Sequence, residues 1–160
     1  MGDEKTNVMR ILDQKKIPYA PHSYDYNGGA VDGRTVAAAL GVDPEMAYKT
    51  LVTRGNGGGY FVFVVPVLLE LDLKAAAKAA GEKSVEMIRQ AELLPLTGYV
   101  HGGCSPVGMK KLFKTFLDER AREMATIMVS AGKLGHQVEL APQDLANLVR
   151  AKFAPIAKQG

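Results

Sequence analysis

The chain of 160 residues contains a single cysteine, Cys104. An internal disulfide is therefore excluded, which suits a reducing, cytoplasmic setting. Long apolar runs are missing too. The longest extends from Tyr60 to Leu69 and contains Pro66. At about ten residues it is roughly half of what a membrane-spanning helix needs, so no membrane partner is expected. An excess of one charge is also absent, since 20 Lys and Arg against 17 Asp and Glu leave only +3. That excludes a bulk nucleic-acid binder, and any RNA partner must meet a local basic surface. The three histidines, His22, His101 and His136, have no cysteine or carboxylate at ligand spacing, so no metal centre is expected. Gly57-Gly58-Gly59 lacks the Lys-Ser/Thr pair of a phosphate-binding loop, and no cofactor is expected either. The charged start, Met-Gly-Asp-Glu-Lys, does not read as a secretory signal. No repeat, low-complexity tract or linker interrupts the chain.

What is present is 47% apolar residues in a length typical of one domain. Val8, Ile11, Leu12 and Lys15 keep helical spacing after Thr6, a fair N-cap, and Pro18 should end that helix. Tyr19 to Tyr26 reads as a strand entering a Gly28-Gly29 turn. Arg34 to Leu40 reads as a helix stopped by Gly41, and Asp43-Pro44 opens another helical turn. Tyr48 to Thr53 and Tyr60 to Val65 flank a glycine-rich tip and predict a β-hairpin. Helices are predicted over Asp72 to Ala80 and Val85 to about Leu93, then a loop from Pro95 to Gly108 with a short strand possible at Tyr99-Val100. Leu112 to Leu117, Ala125 to Ser130 and Gln137 to Leu140 read as strands, and Pro142 opens a last helix to about Lys152. Several links are too short for parallel crossovers. The pattern predicts one α+β domain, residues 1–160, whose mixed and mainly antiparallel sheet is surrounded by helices.

Four segments carry candidate chemistry. Thr97 to Gly108 holds four glycines and a proline, so backbone amides could approach a ligand and stabilise the oxyanion of an ester under attack; a plain connecting loop is the competing reading. Lys49 is a charge inside a strand-like run, suited to a phosphate or carbonyl oxygen in a cleft, or to snorkelling at the surface. Val129 to Gly135 is a small, glycine-flanked turn that could offer hydroxyl, amide and ammonium contacts, or merely connect strands. Cys104 is a tempting nucleophile beside His101, but a thiol needs a positioned base or a lowered pKa. Filling a pocket wall is the reading we prefer for it. Lys110, Lys111 and Lys114 form either an RNA footprint or a solvated basic face.

The chain resembles the YbaK/EbsC family at Lys16-Ile17-Pro18-Tyr19, His22-Ser23-Tyr24-Asp25, Tyr48-Lys49-Thr50-Leu51, Thr97-Gly98-Tyr99, Gly102-Gly103 with Ser105-Pro106, Val129-Ser130 with Gly132-Lys133, and Glu139 with Pro142-Gln143-Asp144-Leu145. The matches occur in the family's order and span nearly the whole chain. The resemblance implies a barrel-like sheet similar to the editing domain of prolyl-tRNA synthetases. It also implies a trans-editing deacylase that hydrolyses mischarged Cys-tRNA(Pro), with that tRNA and prolyl-tRNA synthetase as partners. Editing is expected where a synthetic site cannot exclude an amino acid no larger than its own. Ala-tRNA(Pro) deacylation and a non-catalytic tRNA- or synthetase-binding module are the alternatives. By the same resemblance, Lys49, Gly102 and Gly103 carry the reaction, while Tyr24, Thr50, Ser105, Pro106, Ser130 and Gly132 bind substrate. The substrate's own thiol, rather than an enzyme nucleophile, is expected to attack. Cys104, Leu134, His101 and His136 depart from the family's usual residues.

Overall fold

A computed structural model describes residues 5–24 and 33–159. Helix α1 runs over Asn7–Gln14, and Thr6 accepts the Met9 amide at 3.2 Å as its N-cap. It stops ahead of Pro18, because Lys16 turns left-handed at φ 58°. Strand β1, Ala20–Ser23, is shorter than the sequence predicts, and the expected Gly28-Gly29 turn lies outside the described residues. Helix α2 spans Gly33–Leu40, and Gly41 leaves it at φ 69°. A 3-10 turn at Pro44–Met46 follows, capped by Asp43.

The expected hairpin forms from β2, Tyr48–Gly55, and β3, Tyr60–Pro66, and a two-residue strand β4 follows at Glu70–Leu71. Helix α3, Leu73–Ala80, has Asp72 as cap and Gly81, at φ 73°, as stop.

The next segment departs from the sequence reading. Val85–Met87 is a strand, β5, paired with β2, and the helix is α4, Gln90–Thr97. Pairing with an open edge of β2 overrides the local helical pattern. Glu92 starts α4 by accepting the Arg89 amide at 2.8 Å. Pro95 sits inside this helix rather than opening a loop. The proline leaves one carbonyl without an amide partner, but two residues later the helix ends at Gly98, φ 89°. No strand forms at Tyr99-Val100.

Strand β6 is Lys114–Asp118, followed by a 3-10 helix over Glu119–Glu123. Strands β7, Ile127–Ser130, and β8, His136–Leu140, lie close to their expected places. Helix α5 spans Pro142–Val149 and ends earlier than expected, at Arg150 with φ 57°. The segment beyond it forms β9, Lys152–Ala154, and β10, Ala157–Lys158.

The fold is α+β and rich in antiparallel pairs. One sheet has the order β5-β2-β3-β6-β9, with β3–β6 and β6–β9 parallel. A second has the order β1-β8-β7, wholly antiparallel, and β10 pairs with β4. Val52, Val62, Val64, Ile127, Val129, Val138 and Leu140 fill one core between the two larger sheets with α1 and α5. Phe61, Phe63 and Phe116 form another beneath α3. The two larger sheets also touch through a parallel bridge between Ala47 and Met128.

Candidate functional site

Beyond the Ala47–Met128 bridge, β2 and β7 part, and a cleft of about 430 Å³ opens in the gap. Strand β5 pairs with β2 only at Thr53, Arg54 and Gly55, so the earlier half of β2 keeps an open edge on this side. The Ile88 amide still reaches the Val52 carbonyl at 3.3 Å. By antiparallel alternation, the Thr50 main chain faces the same way, into the cleft. This explains why Lys49 and Thr50, on opposite faces of one strand, both line it. The Thr50 Oγ1 is buried and has no hydrogen-bond partner among the described residues.

The opposite wall comes from the glycine loop. Gly103 donates to the Val100 carbonyl at 2.9 Å, and Gly102 has φ +87°. This is the geometry of a type II turn, which needs glycine at its third position. The turn's own bond engages the Val100 carbonyl and the Gly103 amide, and the two residues between them, His101 and Gly102, line the cleft. Gly103 is pressed against the following turn: a Cβ there would lie 3.4 Å from the Leu134 nitrogen. Ser130 and Gln137 line the floor with Met128, while Val36, Val67 and Leu93 complete the apolar sides. Arg54 links β2 to α4 by pairing with Glu92, and its guanidinium lies 5.5 Å from the centre of the Tyr60 ring. The Arg89 amide and then Arg54 hold the Glu92 carboxyl below the usual range.

Of the residues singled out from sequence, Lys49, Thr50, Gly102 and Ser130 come together around this cleft. The others are not among its lining residues. Ser105 is fully buried and accepts the Val107 amide at 3.2 Å. Pro106 lines a separate cavity of about 180 Å³ with Ile11 and Leu148. Gly132 donates to Ser130 Oγ at 3.1 Å, and a Cβ on it would meet Tyr99 at 2.8 Å. Tyr24 is tied to the same turn through its amide, 2.9 Å from the Gly135 carbonyl. Lys110 is engaged by α4: its ammonium donates to the Pro95 carbonyl at 3.4 Å.

Cys104 also lines the cleft, but burial pushes its thiol up to about 12. A thiol so protonated is a poor nucleophile at neutral pH. Gln137 is the functional candidate that sequence reasoning missed. Its signal, a polar residue beside the β-branched Val138, becomes informative only when the β7–β8 register sets it opposite Ser130.

A cleft between two diverging strands, with a lysine and a glycine turn on its walls, on an α+β fold of this topology, defines an aminoacyl-tRNA editing domain. The sequence matches that family over residues 30–148, and the chain belongs to it, as its resemblance to YbaK/EbsC proteins implies. It is 46% identical over 153 residues to Enterococcus faecalis EbsC, a proposed Cys-tRNA(Pro)/Cys-tRNA(Cys) deacylase, covering 96% of this chain and 93% of that one. Two crystal structures share the fold. One is a hypothetical protein, with TM-score 0.86 and 23% identity, covering 96% of this chain and all of the other. The second is a proposed trans-editing enzyme for prolyl-tRNA synthetase, with TM-score 0.82 and 22% identity, covering 98% and 99%.

Proposed function

We propose that the chain acts as one trans-editing domain that hydrolyses mischarged Cys-tRNA(Pro), with prolyl-tRNA synthetase as the source of that substrate. The observation that carries this reading is that Lys49 and the His101–Gly102 turn line one cleft of about 430 Å³, room for the acylated end of a tRNA. The name of EbsC supports it, because a cysteinyl group is common to both of its stated substrates.

In this reading the substrate thiol attacks its own carbonyl carbon. The Gly102 amide and the Lys49 ammonium offset the charge on the carbonyl oxygen, while Gly103, by donating to Val100, holds the turn that presents Gly102. The carbon–oxygen bond to the ribose then breaks, and the thiol proton goes to the departing ribose oxygen. Water opens the resulting thiolactone to free cysteine. Lys49 also holds the terminal phosphate or orients the ester, with Thr50 and Ser130 lining the pocket and Gly132 supporting Ser130 from behind.

Incubation with Cys-tRNA(Pro) should release free tRNA, and Lys49→Ala should abolish the release. Equal turnover by the variant would remove Lys49 from the reaction. Replacing the substrate cysteine by serine should slow release at least about a hundredfold if nucleophilic assistance is lost. An unchanged rate would exclude attack by the thiol.

A further inference from the structure

The second cavity, of about 180 Å³, shares no lining residue with the cleft. Ile11 of α1, Thr115 of β6 and Leu148 of α5 wall it, together with the loop that leads from the glycine turn into β6. Its one hydroxyl is already paired, since Thr115 donates to the Phe113 carbonyl at 2.9 Å. The loop wall is pinned by Tyr99, whose hydroxyl donates to the Val107 carbonyl at 2.5 Å. A Cβ on Gly108, which has φ +79°, would lie 2.8 Å from that same hydroxyl oxygen. The cavity is thus apolar within and held open by the protein's own contacts, an arrangement that lowers the cost of ordering a ligand.

Its surroundings carry charge of one sign. Lys111 lines the cavity. Arg10, Lys114 and Arg150, all exposed, directly adjoin the lining residues Ile11, Thr115 and Val149 in sequence. No Asp or Glu lines the cavity or adjoins one of its lining residues in sequence. This local excess contrasts with a whole chain of 20 Lys and Arg against 17 Asp and Glu. Leu112 also lines the cavity, and it is 59% exposed. Phosphates alone would meet the cations and leave both the cavity and this leucine uncovered. A base would need an open aromatic face, whereas Phe113 is engaged edge-on by the Tyr60 ring, 5.9 Å between centres. An apolar hole with a leucine and cations beside it instead has the character of a protein interface, apolar at its centre and polar at its rim.

We propose that this cavity is a docking site for a partner protein, and that it takes one bulky apolar side chain, leucine or phenylalanine, from a segment flanked by Asp or Glu. The size fits: a dry cavity of roughly 150 Å³ holds a benzene ring, and this one is about 180 Å³. The anchor fills the hole, Leu112 packs beside it, and the flanking carboxylates meet Lys111 and its neighbouring cations. Burial of the anchor supplies most of the affinity, while the charges select acidic segments and speed the encounter. This docking goes beyond the deacylase reading and does not depend on it.

The test is fluorescence anisotropy of the full chain with three labelled peptides: Glu-Glu-Phe-Glu-Glu, Glu-Glu-Ala-Glu-Glu and Lys-Lys-Phe-Lys-Lys. The first should bind with a Kd below about 1 mM, and the other two at least about tenfold more weakly. Leu112→Ser and Lys111→Glu, both at exposed positions, should each weaken the first peptide at least about threefold while leaving the melting temperature of the protein unchanged. In methyl NMR spectra the signals of Ile11, Leu148 and Val149 should shift on binding, and those of Val36 and Val67 in the cleft should not. Equal affinity for the phenylalanine and alanine peptides would overturn the proposal. So would no binding of the first peptide, unchanged affinity in both variants, or shifts confined to the cleft. An RNA hairpin that binds and loses affinity in Lys111→Glu, where the first peptide does not bind, would give this face to RNA and overturn it too. Deacylation of Cys-tRNA(Pro) without peptide binding would sink the docking site alone. Selective peptide binding without deacylation would sink the enzymatic reading and leave the docking site standing.

Discussion

The buried carboxylate of Asp118 accepts the amide of Ile156 at 3.1 Å, and the same oxygen accepts that of Ala157 at 3.1 Å. Arg120 supplies a charged partner at 3.2 Å. Strand β6, which ends at Asp118, thus anchors the terminal strands β9 and β10. Asp118→Ala would leave the Ile156 and Ala157 amides without their acceptor, and should cost about 2 to 3 kcal/mol of stability. Chemical denaturation measures the loss, and limited proteolysis should cut first after Arg150. A variant as stable and as protected as the wild type would remove this anchoring role.

Cys104 supplies a pH test with a definite sign. Its thiol rises from an ordinary 9.0 to about 12 in the fold because it is buried. The folded state therefore holds the thiol proton more tightly than the unfolded chain does. This contribution to stability is complete below about pH 9 and is lost as pH rises from 9 toward 12. Unfolding midpoints should fall over that window in the wild type and less steeply in Cys104→Ala. Alkylation by iodoacetamide at pH 8 should be far slower than for a free thiol, and Cys104→Ala should retain deacylation. Loss of activity in that variant would instead implicate the thiol in the reaction.

Thr50 makes the opposite kind of prediction, a gain in stability. Its buried hydroxyl lacks a partner among the described residues, and such a group costs about 1 to 3 kcal/mol. Thr50→Val keeps the shape and removes the orphan. The apo protein should then melt about 2 to 4 °C higher for each kcal/mol recovered, while substrate affinity falls if the ligand normally satisfies the hydroxyl. A lower melting temperature would show that the hydroxyl is satisfied in solution.

Gly132 should tolerate no side chain. It combines φ +89° with a Cβ position 2.8 Å from the Tyr99 ring. Gly132→Ala should cost about 2 kcal/mol from the backbone alone, and the displaced turn should also weaken the bond to Ser130 Oγ. Unchanged stability and activity would show that the turn can shift freely.

The sequence by itself determined the elements whose signals are local. Thr6, Asp72 and Gly81 mark helix ends through their own caps, and the glycine tip between Arg54 and Tyr60 makes a hairpin by itself. Lys49, Thr50, Gly102 and Ser130 were legible because a charge, a hydroxyl or a glycine stood out in its own segment and matched a family pattern. Tertiary structure decided what depended on a partner far along the chain. Val85–Met87 became a strand because β2 offered it an edge, and Lys152–Ala154 because β6 did. The cleft exists only where β2 and β7 separate beyond Ala47 and Met128. Gln137, His22 and Glu139 acquire a shared face only through the pairing of β8 with β1. Side-chain character is a property of one residue, whereas register is a relation between two strands.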